Sequence, residues 1–117
     1  MRLNVTAIGL GIVSDFVLSV LGSICLSLAG ITTGSPELYI WSLILGLGAI
    51  AAGGYVTFIK SPTHTFANTV TFGIAEVLIG VLVAVASSMP VWFTITSAVL
   101  IIPASLVGGY LGKVRTA

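Results

Sequence analysis

Four long apolar runs dominate the sequence, and short polar connections separate them. Each run contains about 20 residues or more, the length that an α-helix needs to cross roughly 30 Å of hydrocarbon at 1.5 Å per residue. The connections are short, so consecutive helices are expected to run antiparallel. The predicted spans are 5–31, 38–59, 66–87 and 91–111. The sequence therefore predicts an all-α fold, a single transmembrane four-helix bundle over residues 1–117.

The composition supports an integral membrane protein. Of the 117 residues, 57% are hydrophobic and 6% are charged, whereas about a quarter are charged in ordinary soluble domains. A net charge of +1 provides no basic patch, which argues against nucleic-acid binding. The first run is expected to remain as a span and not to be cleaved as a signal peptide, because Asp15 interrupts it and it exceeds the usual hydrophobic region of about 7–15 residues.

The basic residues predict an orientation. Arg2 precedes the first span, Lys60 lies between the second and third, and Lys113 and Arg115 follow the fourth. In an antiparallel four-helix chain these places share one side, while Glu37 lies on the other. The positive-inside rule then predicts a multi-pass protein of the cell (cytoplasmic) membrane with both termini in the cytoplasm. An outer aromatic belt is expected at Tyr39, Trp41 and Trp92.

Gly-Gly-Tyr occurs twice, at residues 53–55 and 108–110, an offset of 55. The first and third runs match less closely, at an offset of 61 that pairs Asp15 with Glu76. We interpret these matches as an internal repeat of two tandem transmembrane hairpins, residues 1–60 and 61–117. Since each hairpin crosses twice, both keep one orientation, and a pseudo-two-fold axis along the membrane normal is expected.

Small residues recur near the cytoplasmic ends of the second and fourth helices. Such residues let helix backbones approach closely, which favours association within a bilayer. We expect these ridges to be contact faces, either in a homo-oligomer or with other membrane subunits. The predicted helix-packing residues are Ala49, Gly53, Gly54, Ala104, Gly108, Gly109 and Gly112.

Asp15 and Glu76 are the acids predicted to lie deep within the spans. A charge at that depth is costly, so such residues usually face the bundle and find partners. Both lie on stripes of small or polar residues, which predicts that the acids point inward, with Ser19, Tyr55 and Tyr110 as possible hydrogen-bond partners. The stripe around Asp15 is Gly11, Ser19, Ser23 and Ser27, and the stripe around Glu76 is Gly73, Gly80 and Ala84.

Two functional hypotheses follow. The first is a non-enzymatic small membrane protein that serves as a subunit or accessory protein of a membrane assembly, through its Gly/Ala faces and buried acids. The alternative is a small oligomeric carrier or channel, coupled to protons or cations, that uses Asp15 and Glu76. No catalytic, cofactor or metal motif is recognised, since His64 and Cys25 are each the only residue of their type. An enzyme is therefore not expected.

Gly53, Gly54 and Tyr55 lie near the predicted cytoplasmic end of the second helix. In this motif, and in topology over its whole length, the chain resembles small uncharacterised prokaryotic four-helix membrane proteins with a Gly-Gly-aromatic motif at that place. Those proteins often continue with x-Ala-Gly, whereas this chain continues with Val, Thr and Phe at 56–58. The resemblance implies a fold and no activity.

Overall fold

Four long apolar helices make up most of the computed structural model, which describes residues 4–31, 36–61 and 66–116. Within these ranges there is no strand, and each helix is long and apolar enough to cross a membrane, with mean hydropathy between 1.8 and 2.2 over its most apolar window. The predicted all-α four-helix bundle is therefore confirmed. The helices are α1 (Val5–Leu28), α2 (Pro36–Lys60), α3 (Phe66–Ala86) and α4 (Val91–Thr116).

Local sequence signals fix the ends of α1. The Asn4 side chain caps its first turn by accepting a hydrogen bond from the Ala7 backbone N–H at 2.7 Å. The helix ends in a Schellman motif, in which Gly30 has a φ of +79° and the Ile31 N–H donates to the Leu26 carbonyl at 3.2 Å. The apolar run continues to residue 31, but the glycine ends the helix at Leu28.

The helix α3 ends in the same way without a glycine. Ser88 adopts a φ of 54°, and the Met89 N–H donates to the Ala84 carbonyl at 2.9 Å. The helix α2 starts at Pro36, where a missing N–H costs no helical hydrogen bond. The helix α4 continues through Lys113 and Arg115, beyond the predicted span end at residue 111.

The helices α2 and α4 form the largest helix–helix contact, at the centre of the bundle. The helix α1 packs mainly on α2, α3 packs mainly on α4, and α1 and α3 have the smallest contact. The longest dimension is 43 Å, close to the 40–45 Å of a bilayer with its headgroup regions.

The bundle has two distinct ends. At one end, which we call the basic end, Phe58 packs on Phe66 and the Lys113 ammonium lies 6.0 Å from the Phe66 ring centre. At the other, which we call the turn end, Tyr39 lies edge-on to Trp92 with ring centres 6.1 Å apart. The predicted belt residues Tyr39 and Trp92 thus lie at the turn end. Arg2, His64 and residues 32–35 lie outside the described residues.

Glycines bring α2 and α4 together. A Cβ atom added at Gly108 would collide with the Ala51 carbonyl oxygen, and one added at Gly54 would collide with the Ser105 carbonyl oxygen. The α2 and α4 backbones are therefore in direct contact at these positions, as small residues permit. Gly109 instead packs on Thr69 of α3, with its added Cβ 2.9 Å from Cγ2.

The small residues predicted as contact faces are thus used within one chain. Ala49, Gly53, Gly54, Gly108, Gly109 and Gly112 are all buried, and Ala104 packs against the apolar core. A contact with another subunit would have to use other residues. The two Gly-Gly-Tyr segments also have different neighbours, because Gly54 meets α4 whereas its counterpart Gly109 meets α3. The internal repeat and its pseudo-two-fold axis stay predictions.

Candidate functional site: a cavity with two acids

A cavity of about 390 Å³ lies between the four helices, in the half of the bundle nearer the turn end. Both predicted intramembrane acids line it, together with residues of all four helices and Met89 of the turn between α3 and α4. Its walls are mostly apolar. The remaining polar side chains in the lining are Ser19, Thr94 and Ser97.

The two acids lie at the same depth. Asp15 and Glu76 are each ten residues beyond the first residue of their helix, about 15 Å along the helix axis. For helices that cross a hydrocarbon layer of roughly 30 Å, this is its middle. The matching depth brings both acids to the same cavity, Asp15 from α1 and Glu76 from α3.

Glu76 is the more buried acid, with 5% of its surface exposed. Its Oε1 atom is fully buried and has no hydrogen-bond partner among the described residues. A buried polar atom without a partner is rare and costly, and it commonly marks a strained or functional site. Glu76 thus lines the cavity and also carries a buried acceptor without a partner.

Asp15 is half-buried and keeps one local partner. The Ser19 hydroxyl, one turn further along α1, donates to Asp15 Oδ1 at 3.4 Å. This contact is at the long end for a hydrogen bond between oxygens. The Asp15 carboxyl therefore remains able to interact with Glu76 or with a molecule in the cavity.

A layer of close packing separates the acids from the basic end. Gly11 and Phe72 each precede an acid by one helical turn, and Phe72 has 0% of its surface exposed. A Cβ atom added at Gly11 would lie 2.7 Å from the Gly53 carbonyl oxygen and 3.1 Å from the Phe72 ring. We call Gly11, Gly53, Thr57 and Phe72 the sealing layer, because these buried residues leave no room for a side chain at either glycine.

The stripe of small and polar residues around Asp15 does not stay on the inner face of α1. Gly11 is buried, but Ser19, Ser23 and Ser27 are exposed. The reason is helical geometry: steps of four residues advance about 40° around a helix with 3.6 residues per turn. From Gly11 to Ser27 the stripe turns by roughly 160°, so its two ends lie on nearly opposite faces. By contrast Gly73 and Ala84, of the stripe around Glu76, are buried.

The two tyrosines proposed as partners lie elsewhere. Tyr55 is half-buried beside the contact of Gly108 with α2, and Tyr110 is 59% exposed. Neither lines the cavity. The described residues also contain no group of three or more His, Cys, Asp or Glu side chains that could hold a metal ion.

Sequence analysis did not identify the apolar residues of the cavity. Phe16 and Phe93 lie in its wall, and Phe93 also belongs to the aromatic cluster at the turn end, 5.5 Å from Tyr39 between ring centres. The positions of Gly46 and Gly80 in the sequence could have indicated the cavity. Both glycines line it, and their missing side chains leave space next to the acids.

Comparison with known protein families, curated proteins and solved structures finds no match to this chain. The resemblance that rests on Gly53, Gly54 and Tyr55 therefore stays a prediction. The class of protein that the fold defines is a small polytopic membrane protein with four helices apolar enough to span a bilayer.

Proposed function

We propose that this protein is a small carrier or channel that binds and exchanges a proton or another monovalent cation at Asp15 and Glu76. The observation that supports the proposal is that Glu76, a buried acid whose Oε1 has no hydrogen-bond partner among the described residues, lines a cavity together with a second acid, Asp15. Intramembrane acids are expensive, and they commonly mark ion or proton pathways.

The electrostatics favour one bound cation. Two ionised carboxylates that line one small cavity repel each other strongly where the dielectric constant is low. One proton or one other monovalent cation between Asp15 and Glu76 removes much of that repulsion. The site would then exchange this single charge with its surroundings.

The position of the cavity supports access from the turn end. The lining includes Met89 and Phe93 near that end, while the sealing layer lies on the other side of the acids. In the proposed mechanism the acids load from the turn end. Release toward the basic end requires the contact of Gly11 and Gly53 with Phe72 to loosen. With the predicted orientation, loading takes place from outside the cell and release into the cytoplasm.

A second candidate function is that of an accessory subunit. The observation that favours it is the surface of α1, in which Ser19, Ser23 and Ser27 are exposed beside a groove lined by Phe16, Val20 and Ile24. Hydroxyl groups on a membrane-facing surface commonly contact other helices. Extraction from native membranes in mild detergent tests this candidate, which requires other proteins to copurify in a fixed ratio.

Proton flux into liposomes tests the proposed function. Purified protein is reconstituted, a pH gradient and a membrane potential are applied, and an internal pH indicator is followed. Glu76→Gln and Asp15→Asn should each lower the protein-dependent flux at least tenfold, because each near-isosteric change removes one exchangeable carboxyl.

Glu37→Gln is the matched control. Glu37 is an exposed acid in the first turn of α2 and does not line the cavity, so its variant should keep the full flux. Circular dichroism and gel filtration establish that each variant is folded. Full flux in folded Glu76→Gln protein, or an equal loss in Glu37→Gln, would contradict the proposal.

A further inference from the structure

We infer that the cavity binds a monovalent organic ammonium ion with an apolar body, whose charged group lies at Asp15 and Glu76. The inference rests on the proposed function and names the class of cation that the site takes. It is carried by the size of the cavity, the chemistry of its lining and the two carboxyl groups of Asp15 and Glu76 in that lining.

The cavity is much larger than a proton site needs. Its volume of about 390 Å³ falls in the range of roughly 300–1,000 Å³ typical of small-molecule sites. A water molecule occupies about 30 Å³ in the liquid. The space beside the acids is therefore suited to a small organic molecule.

The lining does not suit a hard metal ion. Sites for divalent cations usually combine several ligating side chains, whereas the cavity offers two carboxyl groups and three hydroxyls. In the part of the chain that the structure describes, no group of three or more His, Cys, Asp or Glu side chains could hold a metal ion.

The apolar walls complement an organic cation. Ile12, Ile79 and Ile101 face the cavity from three helices, and Phe16 and Phe93 add aromatic rings. An ammonium group is attracted both to a carboxylate and to the face of an aromatic ring. The body of the ligand would lie against the isoleucines while its charge stays at the acids.

Charge balance requires that an organic cation binds in exchange for a proton. Asp15 and Glu76 are the ionisable residues in the lining, and we propose that they share one proton when the cavity holds no cation. When an ammonium ion binds, this proton leaves for the aqueous phase, so that the charge of the site is unchanged. The bound cation and the proton therefore compete for the same pair of carboxyls.

Binding of benzyltrimethylammonium to purified protein in nanodiscs tests the inference, with neopentylbenzene as the neutral molecule of the same shape. We expect saturable binding of the cation and release of about one proton per cation, measured with a pH indicator in weak buffer. Glu76→Gln should weaken cation binding roughly tenfold or more, whereas Glu37→Gln should leave it within about twofold. Neopentylbenzene should bind both variants alike.

A steric pair of variants provides a test that does not alter the acids. A Cβ atom added at Gly46 or at Gly48 meets no atom within 4 Å, but only Gly46 lines the cavity. Gly46→Leu should therefore reduce binding of benzyltrimethylammonium several-fold, and Gly48→Leu should not. Equal binding by these two variants would place the ligand outside the cavity.

The outcomes separate this inference from the proposed function. If the cation binds wild type and Glu76→Gln equally, or releases no proton, the inference is wrong. If no cation binds while the liposome flux still depends on Asp15 and Glu76, the ligand class is wrong and the proposed function stands. If neither binding nor acid-dependent flux is found, both fail.

Discussion

At the scale of the residue, burial and matching depth distinguish Glu76 and Asp15 from the other charged residues that the structure describes. The two acids could be predicted as intramembrane residues from the sequence, because an acid inside an apolar run is conspicuous. Their position in the lining of one cavity could not be derived in the same way, since it depends on how α1 and α3 are rotated about their axes. The unpartnered Glu76 Oε1 is likewise a property of the packed bundle.

The close contact of α2 and α4 at Gly108 gives a stability prediction. An alanine there would collide with the Ala51 carbonyl oxygen, which forces the two helices apart. Overpacking of this kind costs about 1–3 kcal/mol or more. Gly108→Ala should therefore lower the midpoint of thermal unfolding in detergent, followed by circular dichroism, by several degrees.

The control for this prediction is Gly48→Ala. Gly48 is exposed, and an added Cβ atom meets no atom within 4 Å. Alanine has a higher helix propensity than glycine by about 1 kcal/mol, so this variant should be as stable as wild type or more stable. An unchanged midpoint in Gly108→Ala would show that α2 and α4 do not approach closely at that residue.

At the scale of the element, helix extents were largely predictable because apolar runs of about 20 residues have few alternatives. The ends of the helices were less predictable. The helix α1 stops at Leu28 because Gly30 forms the cap, and α4 continues past residue 111. The stripe of small and polar residues around Asp15 does not stay on one face of α1, because residues spaced by four wind around the helix. Gly11 packs on α2 and α3, Asp15 and Ser19 line the cavity, and Ser23 and Ser27 are exposed.

The end of α3 provides a prediction for a single turn. Ser88 has a φ of 54°, a conformation that costs a residue with a side chain roughly 1–2 kcal/mol and glycine very little. Ser88→Gly should therefore raise the midpoint of thermal unfolding. The rise is partly offset because glycine gives the unfolded chain more conformational entropy. Ser87→Gly is the neighbouring control and should not stabilise. A lower midpoint in Ser88→Gly would contradict the left-handed cap.

At the scale of the whole molecule, the bundle combines a tightly packed half and an open half. The glycine contacts and the sealing layer lie toward the basic end, and the cavity opens in the half nearer the turn end. The proposed carrier function requires such an asymmetry, because a site open to both sides would leak. The four apolar runs predicted the number of helices, but the asymmetry depends on how side chains of different helices pack together.

The orientation gives a prediction for intact cells. In a Cys25→Ser background, Lys60→Cys and Glu37→Cys introduce single cysteines at exposed positions at opposite ends of α2. A membrane-impermeant maleimide should label Glu37→Cys in intact cells and Lys60→Cys only after the membrane is opened. The reverse pattern would place the basic end outside the cell and invert the proposed direction of loading.

The central claim is that Asp15 and Glu76 form one proton-binding unit. The most direct test is the infrared difference spectrum of the protein between high and low pH, read at the stretching band of protonated carboxyl groups. Folded Glu76→Gln/Asp15→Asn protein should lose the component of this band that Asp15 and Glu76 contribute and keep only that of exposed carboxyl groups such as Glu37. The component due to the two cavity acids should persist in Glu37→Gln and change its pH midpoint in Asp15→Asn alone. A Glu76 band with the same midpoint in Asp15→Asn as in wild type would show two independent acids and contradict the claim.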